Sequence, residues 1–318
     1  MLRYILKRIG LMLLTFFIIV TICFMLIRLL PRELPSDKNL ADIISARWEA
    51  LGYDKPLLVQ YGSYLKGIFT SWDFGTSWYI DFRADAWDLL ISRIPPTVIV
   101  NTLSLLVSVP LGLLLGVLAA LCKGRWQDTL ISLGVMVFVS VPSYVYAFVV
   151  QYLFGYVLGW FPLTVYSLDT AGGWLTPKML YSMLPAVLAL SFGECASLTR
   201  FTRAEMGEAL GAEYMVFASA KGLSRTRAVV NHALKNALVP IFPTIVASFI
   251  GILAGSIVIE EIFSIPGVGQ LYIRAINLGD YDVFMMNTVF YTFIGLLSGI
   301  VVDISYGLID PRIRMGER

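Results

Sequence analysis

Six stretches of this chain are each apolar over about the 20 residues that a membrane-crossing helix needs. They are residues 9–30, 97–122, 130–153, 184–198 with flanks, 237–259 and 283–309. Inside a bilayer every backbone N–H and C=O must be satisfied within the protein, which leaves helices as the answer for runs of this length. Composition agrees: 58% of the 318 residues are hydrophobic and only 14% are charged, where a soluble domain carries about 25%. The mean hydropathy is +0.76. The expected fold is an all-α integral membrane protein with six transmembrane helices. The first run exceeds a signal-peptide core and leads into Arg28 and Pro31 without a small-residue cleavage site, so it reads as an uncleaved helix.

Orientation follows from basic residues near the helix ends. Arg3, Lys7 and Arg8 precede the first run. Lys123 and Arg125 lie between the second and third. Arg200, Arg203, Lys221, Arg225, Arg227 and Lys235 lie between the fourth and fifth, and Arg312, Arg314 and Arg318 follow the sixth. The other side carries Lys178 and Arg274 in its short connections. Both termini and the stretch 200–240 are therefore expected in the cytoplasm. The chain divides into an N-terminal peripheral helix (1–30), an extracytoplasmic segment (31–95) and a core of five spans (96–318). Pro31, Pro35, Gly52, Pro56 and Gly75 punctuate the extracytoplasmic segment. Residues 57–69 within it read as a short amphipathic helix, either a solvated cap or a docking surface.

Several features inside the spans bear on function. Pro95-Pro96-Thr97 is expected to open the second helix, because proline is tolerated in a first turn. Pro110 and Pro142 favour kinks. Gly112/Gly116, Gly251/Gly255 and Gly295/Gly299 each place two glycines on one helix face, which permits close backbone approach. Trp160, Phe161, Tyr166 and Trp174 suit an interfacial belt. Glu194 is the one ionisable residue deep in an expected span, at a cost of about 2.5–3.5 kcal/mol on insertion scales. It must face an aqueous path, pair with a cation or be protonated. It is the candidate translocation-path residue, meeting a cationic part of a substrate, or else a structural pair with another helix. Cys23, Cys122 and Cys195 fall in or beside apolar runs and read as reduced packing cysteines.

The sequence argues against an enzyme. It has no phosphate-binding Gly-Lys loop, no His-Glu-x-x-His and no Gly-x-Ser-x-Gly. His232 is the only histidine, so no catalytic residue and no metal site are expected. No cofactor is expected on this chain.

The stretch 200–240 has an ordered pattern. Residues 213–221 read as helix, Gly222 as its left-handed C-cap, and Ser224 as the N-cap of a second helix over 225–234. A helix lying across the membrane face can sit in a groove on a soluble partner.

That pattern carries a resemblance. Against the motif Glu-Ala-Ala, three residues, Gly, nine residues, Ile-x-Leu-Pro of ABC importer permeases, Gly222, Ala218 and Leu234 match. Val216 and Phe217 replace the glutamate and first alanine, and His232 and Lys235 replace the isoleucine and proline. The peptide-branch variant fits better, through Tyr214, Ala218, Ala220-Lys221-Gly222-Leu223-Ser224 and His232-Ala233-Leu234-Lys235-Asn236-Ala237-Leu238-Val239-Pro240. Arg3-Tyr4-Ile5-Leu6-Lys7-Arg8, Gln60-Tyr61, Asp73-Phe74-Gly75-Thr76-Ser77, Phe263-Ser264-Ile265-Pro266-Gly267-Val268-Gly269 and Asp310-Pro311-Arg312-Ile313-Arg314 match other family segments in order. The chain resembles the B-type permease subunit of dipeptide/oligopeptide ABC importers.

The resemblance implies a type I ABC importer permease fold in a bacterial or archaeal cytoplasmic membrane. It implies a heterodimer with a related C-type permease, two cytoplasmic ATPases that use ATP and Mg, and an extracytoplasmic substrate-binding protein. It makes residues 213–234 the coupling helix, with Glu213, Tyr214, Ala218, Lys221, Gly222, Leu223, Ser224, His232, Leu234 and Lys235 as ATPase-coupling residues. Relatives import peptides, nickel or metal chelates, glutathione or oligosaccharides. A self-sufficient secondary transporter is the rival of another class. It would need ionisable groups in several spans and often repeats.

Overall fold

The computed structural model describes residues 2–30, 36, 38–50 and 52–309. Pro31, Pro35, Arg318 and the ending Asp310-Pro311-Arg312-Ile313-Arg314 lie outside the described residues. In chain order the helices are α1 (Leu2–Leu29), α2 (Lys38–Ala50), α3 (Leu57–Ser71), α4 (Ala86–Leu121), α5 (Trp126–Ser140) and α6 (Ser143–Val150), which continues as a π-helical turn, Gln151–Val157. Then come α7 (Leu168–Ala171), α8 (Pro177–Gly211), α9 (Glu213–Ala220), α10 (Arg225–Ala228), a π-helical turn Val229–Leu234, and α11 (Lys235–Gly251). A 3₁₀ turn, Ile252–Ala254, precedes α12 (Ile257–Ile262), α13 (Val268–Leu278) and α14 (Tyr281–Ile309). Among the described residues there is no strand, only one bridge between Thr76 and Asp85.

Among the described residues five helical runs are long and apolar enough to cross a membrane, and a bent pair brings them to six when it is counted as one span. The expected six runs therefore reappear with altered ends. The third, expected as one run over 130–153 with a kink favoured at Pro142, bends by 102° between α5 and the run Ser143–Val157. Pro142 is the cause. It pushes Val141 into an extended conformation (φ −86°, ψ 128°), as proline does to the residue before it.

The second helix starts at Ala86, not at Pro95, so Pro95 and Pro96 lie inside it with Pro110. Asp85 explains the earlier start: its Oδ1 accepts from the backbone N–H of Trp87 (2.8 Å) and Asp88 (3.3 Å), satisfying donors that a helix start leaves orphaned. The fifth run extends over Arg225–Ala254. It stops at Gly255 (φ 66°, ψ −175°), a conformation reserved for glycine, so the expected 237–259 ends early. Glu194 does not interrupt the fourth helix, which Thr176 caps through Met179 N–H at 3.3 Å.

The chain packs as two compact units. One consists of Arg93–Gln270 with the described residues 2–5 and 297–309. Within it α5, α6 and α11 pack along α8, over a core that includes Met179, Met183, Ile259, Phe263 and Ile265. The glycines of α4 do what their spacing suggests. A Cβ on Gly116 would lie 2.5 Å from Thr202 Cβ and 2.8 Å from Thr199 O, and one on Gly112 3.0 Å from Leu198 Cβ. Helices α4 and α8 thus approach backbone to side chain. Gly295 and Gly299 have open space beside them, so their pair packs against nothing among the described residues.

The other unit is Leu6–Ser92 with Leu271–Leu296. The expected amphipathic helix forms as α3, and its Tyr61 packs with Val20, Phe24 and Met285. Asp280, 1% exposed, gathers the segment after Gly75. Its Oδ2 accepts from Ser77 Oγ (2.6 Å) and from the consecutive N–H groups of Trp78 (3.1 Å), Tyr79 (3.1 Å) and Ile80 (3.2 Å). Gly75 (φ 93°) has no room for a side chain, because a Cβ would sit 2.5 Å from Asp282 Cγ.

Candidate coupling turn and polar groove

Helix α9 ends in a complete Schellman turn. Gly222 takes φ 78°. Its N–H bonds to Ser219 O (2.9 Å), and the N–H of Leu223 bonds to Ala218 O (3.2 Å), the two bonds that close this motif. A Cβ on Gly222 would meet nothing within 4 Å. Glycine is needed there for backbone conformation, not for space.

The expected N-cap Ser224 has the extended backbone of a cap (φ −61°, ψ 150°) but makes no side-chain capping bond. The expected separate helix over 225–234 is corrected: α10 and its π-helical turn run on into α11 as one helix. The hydrophobic run simply continues, with Ala228, Val229, Ala233 and Ala237 buried along it.

The turn shows two faces. Ala218 is buried and anchors α9 to the bundle. Glu213, Lys221, Gly222, Ser224 and Lys235 are exposed, while Tyr214, Leu223, His232 and Leu234 are half-buried. Val216 and Phe217 are 70% and 66% exposed. Sequence reasoning treated these two as departures from a motif. Placed beside a buried Ala218, they form an apolar knob facing outward.

Glu194 sits midway along α8. It accepts from Ser248 Oγ of α11 at 2.6 Å. Two openings adjoin it. One of about 440 Å³ runs past Ser197 and Thr244 to Arg200. The other, about 230 Å³, runs past Asn101 and Ser104. Glu194 and Ser248 line both. Polar groups from α4, α8 and α11 therefore converge on one groove.

Two further acidic residues were not singled out in the sequence. Asp128, near the start of α5, forms a two-pronged ion pair with Arg203 of α8 (2.6 and 2.9 Å) and accepts from Gly124 N–H (3.0 Å). This fork geometry is the strong form of the pair, and it ties the 122–126 connection to the helix that leads into α9.

Glu260 of α12 is 2% exposed. It accepts from Thr97 Oγ1 (2.9 Å) and Gln270 N–H (3.0 Å), while Thr97 Oγ1 accepts from Val268 N–H (2.9 Å). Gly255 and Gly267 lie so close to the carboxylate that a Cβ on either would collide with it, and one on Gly269 would collide with the Ile257 backbone. Burial pushes this carboxyl up to about 7, with the hydrogen-bond donors pulling partly back. The signal available in the sequence was a glutamate flanked by three glycines. Its partner Thr97 lies 163 residues away.

Among the described residues no cluster of His, Cys, Asp or Glu has metal-binding geometry.

Comparison with known proteins places these features in context. The profile of the family described as "Binding-protein-dependent transport system inner membrane component" matches residues 112–315, and that of its N-terminal region matches residues 1–101. The dipeptide transport system permease protein DppB of Lactococcus lactis subsp. cremoris is 36% identical over 316 residues, covering 99% of this chain and 100% of that protein. DppB of Bacillus subtilis is 36% identical over 322 residues, 100% of each. The oligopeptide transport system permease protein OppB of Escherichia coli is 35% identical over 318 residues, 99% of this chain and 100% of that protein.

Proposed function

The chain belongs to the binding-protein-dependent transport system inner membrane components, and we propose that it forms half of the translocation path of an ATP-driven peptide importer. It is a multi-pass, non-catalytic permease that works with ATPase and binding-protein partners. Peptides are the proposed cargo because the most similar full-length relatives are named for dipeptide and oligopeptide transport. The other half of the path is a related C-type permease. Two ATPases use ATP and Mg in the cytoplasm, and the binding protein delivers substrate from the opposite side of a bacterial or archaeal cytoplasmic membrane. The basic residues Lys123, Arg125, Arg225 and Arg227 near the span ends support a cytoplasmic side for the coupling turn.

The observation that carries this reading is the turn at Gly222. A helix anchored by Ala218, closed by a Schellman turn and presenting Val216 and Phe217 outward suits a groove on an ATPase. The coupling residues Glu213 to Lys235 then act as a lever. ATP binding moves the docked helix, and because α8 and the run Arg225–Ala254 flank it directly, the displacement passes into both spans. These tilt as packed bodies between two arrangements. Glu194, which lines the groove between those two spans, is the proposed contact of the path with a cationic part of the cargo.

The test is Gly222→Val against Gly222→Asn in the reconstituted complex. Valine is a genuine outlier at positive φ, whereas asparagine visits that region readily. Uptake should fall at least tenfold for valine, with ATP hydrolysis no longer stimulated by the binding protein, and stay within about threefold for asparagine. Equal activity of the valine variant and the wild type would refute the coupling-turn assignment.

A further inference from the structure

The two openings beside Glu194 form one lane, because Glu194 and Ser248 line both. Among the described residues Glu194 has one donor, Ser248 Oγ, and no cation pairs with it. Arg200 lines the larger opening as well. It is exposed, and among the described residues no carboxylate pairs with it. Two opposite charges thus border one groove on one helix and leave each other unpaired. Glu194 lies within the expected span, where charge is expensive unless something compensates it, and Arg200 stands just past that span's expected end.

The spacing says what could compensate both at once. Glu194 and Arg200 are six residues apart on α8, a rise of about 9 Å at roughly 1.5 Å per residue. An extended chain advances about 3.3–3.6 Å per residue, so two residues span about 7 Å and three about 10 Å. An unblocked peptide of that length carries an ammonium at one end and a carboxylate at the other. The uncommitted oxygen of Glu194 accepts from the first, and the planar guanidinium fork of Arg200 matches the second.

We propose that Glu194 and Arg200 are the two poles of a substrate lane that recognises both free termini of a di- or tripeptide in transit, the amino end at Glu194 and the carboxyl end at Arg200. This rests on the reading of the chain as a peptide permease. Because Arg200 lies on the side of Glu194 toward α9, the peptide travels carboxyl end first. Arg203 does not serve as a pole, since Asp128 holds it in a two-pronged pair. Longer peptides engage one pole at a time.

The experiment is uptake into liposomes holding the complete transporter, with trialanine, N-acetyl-trialanine and trialanine amide each preloaded on the same binding protein. Using one binding protein throughout makes its own selectivity cancel between variant and wild type. Glu194→Gln should lower the preference for trialanine over its N-acetyl form at least fivefold and leave its preference over the amide unchanged. Arg200→Gln should do the reverse. Glu194→Asp and Arg200→Lys, which keep the charges, should retain both preferences within twofold. Stimulated ATP hydrolysis, measured alongside, shows that each variant is assembled. Unchanged preferences in both glutamine variants overturn the lane, as does their collapse in the charge-preserving pair, which would make packing the cause. A wild-type complex that takes up none of the three peptides overturns instead the peptide-permease reading on which the lane depends.

Discussion

Glu260 of α12 and Glu194 of α8 are the same side chain on two different helices, and the fold surrounds them differently. Glu260 is sealed in, with Thr97 Oγ1 and the Gln270 N–H on its two oxygens and glycines packed against it. Glu194 is half-exposed, holds one hydroxyl donor and opens on a groove. A carboxylate whose hydrogen-bonding capacity is used up inside the protein fixes structure. One whose capacity is left over is available to something that passes. The difference separates a knot that shapes a connection from a group that can read a cargo, although both cost desolvation.

The sharpest way to break this comparison is to add one methyl group to the knot. Gly267→Ala would place a Cβ on both Glu260 Oε2 and Thr97 Oγ1, and separating a buried, hydrogen-bonded charge from its partners costs about 3 kcal/mol or more. The melting temperature of the detergent-solubilised complex should drop well below that of Gly134→Ala, a position with open space around it. Equal melting of the two variants would mean that the knot is loose.

A smaller effect comes from pH. Burial raises the Glu260 carboxyl to about 7, above its ordinary value near 4.3. The folded state therefore binds the proton more tightly than the unfolded state. Stability is full below about pH 4.3 and falls as pH rises to about 7, beyond which the loss is complete. The loss amounts to about 4 kcal/mol at about 1.4 kcal/mol per pH unit. Melting of the wild-type complex between pH 5 and 8 should show this decline, and Glu260→Gln, which cannot ionise, should flatten it. Parallel curves for the two proteins would locate the pH dependence elsewhere.

The smallest effect on stability is expected at Glu194. Its amide replacement can still accept from Ser248, and a single half-exposed hydrogen bond is worth about 1 kcal/mol. Glu194→Gln should thus melt within a few degrees of the wild type. A loss as large as that of Gly267→Ala would make Glu194 a structural residue like Glu260 and end the contrast.

Much of the molecule was legible in its residues. Apolar runs of sufficient length placed the spans, and the Gly222 turn was readable because glycine after a helical run is a local signal with a local cause. The short helix α3 was readable for the same reason. What escaped was of two kinds. Some was local but outweighed: Asp85 starts α4 before the prolines that marked its expected beginning, and the kink expected at Pro142 came without the size, 102°, that it takes. The rest was remote. Asp128 finds Arg203 75 residues on, and the exposed face of Val216 and Phe217 exists only because Ala218 turns inward.

The sequence by itself determined the membrane-spanning helical architecture, the family and the conformation at Gly222, because hydrophobic length and backbone sterics act within a few turns of chain. Only the tertiary structure decided which acidic residue is locked and which is open. That depends on which side chains other helices bring within about 3 Å of a carboxylate, and neither Thr97 beside Glu260 nor Ser248 beside Glu194 is a neighbour in the chain.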